Sequence, residues 1–66
     1  MCLSTVYKGN ATDPENILAE YITDIAIEPG LVRFTDVIGE ETAFTGAITH
    51  IDLTAGRVFV SPAAQP

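Results

Sequence analysis

The sequence predicts an all-β domain, a small five-stranded, partly open barrel that self-associates, with an α+β fold carrying a helix at about 14–25 as the minor alternative. Three observations lead there. Short runs of alternating apolar and polar residues, rich in Val, Ile, Thr and Phe, recur between turns marked by Gly or Pro. One of these runs changes its apolar face midway, which a strand of period 2 does only through a bulge or bend. The chain has 66 residues, a size that buries only roughly 60% of its unfolded surface and is marginal alone. Self-association is therefore the expected supplement to its core, with a bound metal as an addition.

The elements follow in order. Residues 2 to 7 set Cys2, Ser4 and Val6 on one side against Leu3, Thr5 and Tyr7 on the other, and favour a strand. Lys8 to Asn16 collects Gly, Asn, Asp and Pro, the composition of a surface loop. Ile17 to Glu28 admits two readings. Ile17, Leu18, Tyr21, Ile22 and Ile25 have the spacing of a helical face, and Asp13-Pro14-Glu15 before them resembles an N-cap with proline at N1. Against a helix, Ile25 and Ile27 alternate with Ala26 and Glu28, and Ile22 and Thr23 add β-branched bulk.

Pro29-Gly30 makes a turn. Leu31 to Val37 alternates as a strand, and Gly39-Glu40 marks the next turn. From Glu41 to Leu53 the pattern is extended again, but Phe44 and Ile48 share one parity while Ile51 and Leu53 share the other. A bulge or sharp bend is expected between Gly46 and His50. Leu53 to Gly56 closes a hairpin into Arg57 to Val60. Residues 1–60 thus make one domain, and 61–66, with two prolines and little to bury, a flexible tail. Five strands joined by short turns, one long and bent, describe a barrel of the SH3 or Sm type.

Nine acidic against three basic side chains give a net charge of −6, which repels phosphate backbones and anionic membranes and speaks against a nucleic-acid partner. The opening segment has no basic flank and no long apolar run, so neither a signal peptide nor a membrane span is expected there. A cytoplasmic location follows, with the thiol kept reduced.

Cys2 is the only cysteine, so neither an intrachain disulfide nor a four-cysteine zinc site can form. It admits two roles, a small buried hydrophobe or a thiolate ligand. As a ligand it supplies one sulfur, and a closed soft site then needs two chains. Nitrogen donors are at hand in the backbone or terminal nitrogens of Met1 and Cys2. An S2N2 set held flat suits a d8 ion such as Ni(II), and a tetrahedral one suits zinc. His50, the only histidine, is an alternative ligand, although a lone His on a strand is more often a solvent-facing side chain. Asp36, Glu40 and Glu41 form an acidic patch without the repeated oxygen ligands of a calcium loop, and read as a solvated turn. Tyr7, Tyr21, Phe34, Phe44 and Phe59 have no interleaved basic residues and read as core. No catalytic constellation stands out, and no enzyme is expected.

The segment Met1-Cys2-Leu3-Ser4-Thr5-Val6-Tyr7 resembles the opening of the CooT family, small nickel-binding accessory proteins linked to maturation of the nickel-containing carbon monoxide dehydrogenase. The similarity continues through Ile22 to Glu28, Val32 to Glu40 and Gly46 to Leu53. It tips the reading of 17–28 towards a strand bent near Thr23 and Asp24. The resemblance implies an Sm-like β fold, a homodimer, and one Ni(II) held between subunits by Cys2 of each. It further implies a metallochaperone role, with the nickel enzyme carbon monoxide dehydrogenase or other nickel accessory proteins as partners. His50 and residues 61–66 lie outside the family motif. An Sm-like RNA- or protein-interaction module with Cys2 only structural is the alternative.

Overall fold

A computed structural model describes residues 3–62 of the chain. Its elements are β1 (Ser4–Lys8), a single 3-10 turn (Pro14–Asn16), β2 (Ile17–Glu28), β3 (Leu31–Asp36), β4 (Glu41–Asp52) and β5 (Arg57–Pro62). The fold is all-β. The helix at about 14–25 does not form: the proline-led N-cap at Asp13 opens only the 3-10 turn, which ends as Ile17 takes extended dihedrals. From there the β-branched residues of β2 fit a pleated surface better than a helical one. The loop before it is tied down where the Asn16 side-chain amide donates to the Lys8 carbonyl at 3.1 Å. Residues 1 and 2, and positions 63–66 of the expected tail, lie outside the described residues. β5 runs through Ser61 and Pro62, two residues beyond the strand end expected at Val60.

The five strands form one sheet in chain order, each antiparallel to the next. The sheet closes into a ring because β1 also pairs with β5, Val6 facing Val58 and Tyr7 facing Phe59. That closing pair is parallel. It has to be, since an odd number of strands alternating in direction leaves the first and last pointing the same way.

Two strands are long enough to serve two neighbours. The first part of β2 pairs with β1 and the second, from Ile22, with β3. β4 pairs with β3 up to Thr45 and with β5 from Gly46. Both carry irregular pairing near the change of partner. In β4 the expected irregularity is present, a register shift between Ile48 and His50. In β2 the register shifts between Ile22 and Asp24, and again where Ala19 and Ile22 face Val6 and Ser4. That second shift sets three residues against two, a bulge.

Inside the ring lie Val6, Ile22, Val32, Phe34, Val58 and Val60, with Leu18, Ala19, Ile25, Phe44 and Ile48 packed against them. Every strand contributes to this apolar core, whose burial is the main favourable term in folding. Phe34 is the only aromatic ring of the fully buried set, so the reading of all five aromatics as core needs correction. Tyr7 and Phe59 stack on the outside at 5.6 Å between centroids, and Tyr21 is exposed.

Candidate functional site

One end of the ring gathers what the sequence singled out. β1 begins there at Ser4, opposite Ile22, and Ile22 faces Asp36, the residue at which β3 stops. The backbone N–H of Thr5 donates to the Gly56 carbonyl at 2.9 Å, which brings the β4–β5 turn to the same place. Leu3, the turn after Asp36 and the turn after Asp52 therefore share this end.

Both turns are built by aspartates. The Asp36 carboxylate accepts the N–H groups of Ile38 and Glu40 at 3.0 and 2.9 Å, and the Asp52 carboxylate accepts that of Ala55 at 3.1 Å. A side chain that bonds the backbone a few residues on is the usual reason for aspartate in a tight turn. The acidic patch of Asp36, Glu40 and Glu41 thereby has a structural explanation. Glu41 is engaged elsewhere, 3.3 Å from Arg33.

With those backbone groups satisfied, the same segments expose large apolar side chains to solvent. Leu3, Val37, Ile38 and Leu53 account for four of the seven exposed large apolar side chains among the described residues, with Ile38 77% and Leu53 84% exposed. Large side chains left in water on adjoining segments mark a contact surface. Sequence reading missed this patch, because Val37 and Ile38 look like the end of an alternating strand until the Asp36 turn lifts them out of it.

Cys2 and Met1, the expected metal ligands, lie outside the described residues, two and three positions upstream of Ser4. His50 sits on the outer face of β4, exposed, its ring 5.8 Å from that of Phe59. Tyr7, Phe59 and His50 thus make an outward aromatic row across β1, β5 and β4. Among the described residues no group of three or more His, Cys, Asp or Glu side chains could hold a metal, and no pocket forms. His50 and the candidate ligands at the N-terminus are not brought together by anything described. No helix is long and apolar enough to cross a membrane.

A family model described as CO dehydrogenase accessory protein CooT matches residues 1–61 of the 66. No curated protein matches the chain. The match covers all of the ring but the last residue of β5, and the chain belongs to the CooT family of CO dehydrogenase accessory proteins.

Proposed function

From that membership, which makes the chain an accessory protein and not a catalyst, we propose that it is a Ni(II)-binding metallochaperone. Two copies hold one nickel ion between them through paired Cys2 thiolates, and the dimer assists nickel insertion into carbon monoxide dehydrogenase in the cytoplasm. The nickel is cargo. The five-strand ring is, on this reading, a barrel of the Sm or SH3 type.

The observation that carries the proposal is the apolar end at which the chain enters β1. Leu3, Val37, Ile38 and Leu53 lie exposed on the segments that meet at the end of the ring where β1 begins. A second copy seated on this end covers apolar surface that one copy leaves in water. It also brings two N-termini together, as a shared S2 site requires. Soft thiolates with nitrogen donors from Met1 or Cys2 are a donor set suited to Ni(II). Because sulfur and amide nitrogen must lose protons to bind, affinity falls as pH falls.

Titrating nickel into the wild-type chain and into Cys2→Ser tests the reading. Tight binding that saturates at one ion per two chains, and is lost in the variant, is expected. Undiminished tight binding by Cys2→Ser refutes the thiolate site.

The outward row of Tyr7, Phe59 and His50 favours a second reading, an interaction module in which Cys2 is only structural. Stacked, half-exposed rings are common contact residues. The net charge of −6 turns that reading towards a protein partner and away from RNA.

A further inference from the structure

The second half of β2 is a sheet edge. Asp24 to Glu28 pair with β3 on one side, and no described strand pairs with them on the other. Such an edge presents backbone N–H and C=O groups that can accept a further strand.

Its side chains sort cleanly by face. Ile25 and Ile27 stand opposite Phe34 and Val32, two buried core residues, so they continue the inner face. Ile27 is nonetheless 69% exposed. The inner face of the sheet therefore runs one strand further than the described residues cover it.

Asp24, Ala26 and Glu28 alternate with these isoleucines and take the outer face, opposite Thr35, Arg33 and Leu31. Asp24 has no ion-pair partner among the described residues. Glu28 lies 2.9 Å from Arg33 Nε, and the same guanidinium reaches Glu41. The hydrogen bond from Arg33 to Glu28, and then the charge of Glu28, hold the guanidinium above its already high ordinary value. One cation thus serves Glu28 and Glu41, Asp24 is left without one among the described residues, and the edge is acidic.

We propose that this edge binds an extended segment of a partner protein by strand addition. The segment carries apolar residues where it faces Ile25 and Ile27, and Lys or Arg where it faces Asp24 and Glu28. Charge selects this occupant over a second copy of the chain. Two such edges paired antiparallel about Ala26 set Asp24 against Glu28 twice, and like charges directly opposite are destabilising. A basic segment turns the same two positions into opposite-charge pairs, while its apolar residues cover Ile27.

The test uses the full chain, isotope-labelled, titrated with the peptide acetyl-Gly-Lys-Val-Thr-Val-Lys-Gly-amide. Expected are shifted amide signals and slowed hydrogen exchange confined to residues 24–28 and their β3 partners. No binding is expected from the peptide with Glu in place of both Lys. Asp24→Asn, at an exposed position, should weaken binding by up to about fivefold, the worth of one cross-strand charge pair. Failure of the basic peptide to bind, equal binding by the acidic one, or protection appearing elsewhere overturns the proposal. Slowed exchange over 24–28 that grows with protein concentration in the absence of peptide also overturns it, since a second copy then holds the edge.

Discussion

Gly46 shows how much of this fold rests on single backbone positions. It is buried at the point where β4 leaves β3 for β5, with φ +155°. A Cβ there would collide with the Ser61 carbonyl oxygen and the Phe44 ring. Gly46→Ala should therefore destabilise the domain by about 3 kcal/mol, the range of overpacking in a close-packed core, measurable as a lower midpoint in urea. A bend near this glycine was legible in the sequence from the change of apolar parity between Ile48 and Ile51. Tyr21 was not. It holds φ +60° within the bulge of β2, the residue 58% exposed, and a tyrosine in a strand-forming run gives no sign of a left-handed backbone. Tyr21→Val should cost about 1–2 kcal/mol despite the exposure, because a β-branched residue tolerates that conformation poorly. A thermal melt of the variant, read against the wild type, checks this.

Among the elements, β2 and β4 do most to shape the molecule, each dividing its length between two neighbours. The existence of all five strands could be read from alternation and turn residues. The nature of 17–28 could not be settled by periodicity, because its apolar residues satisfy helical spacing and strand alternation together. What decides is tertiary: the first part of β2 pairs with β1 and the second with β3, and those ladders take up backbone groups that a helix would have paired within itself. The turn after β3 makes the reverse point. The carboxylates of Asp36, Glu40 and Glu41 read in sequence as a solvated turn, and that of Asp36 in fact accepts two backbone N–H groups and builds the turn. Asp36→Ala removes the acceptor for both. It should destabilise the protein by about 1–2 kcal/mol, as loss of a capping side chain does, and speed exchange at the Ile38 and Glu40 amides in an NMR hydrogen-exchange series.

At the scale of the whole molecule, a 66-residue chain whose ring encloses a small apolar core has little stability to spare. It also leaves its two most exposed large apolar side chains, Ile38 and Leu53, at the end where β1 begins. Family membership and the homodimer expectation were both accessible from the MCLSTVY segment. The apolar end was not, because it is assembled from three segments distant in sequence and exists only once the ring closes. On the proposed function, a second copy bound there would add stability and complete a site that one cysteine cannot make alone. The most direct test is native mass spectrometry of the wild-type chain with nickel added in excess. A species of two chains and one nickel ion, absent for Cys2→Ser, is the predicted result, and a monomer carrying its own nickel ion would contradict the shared site.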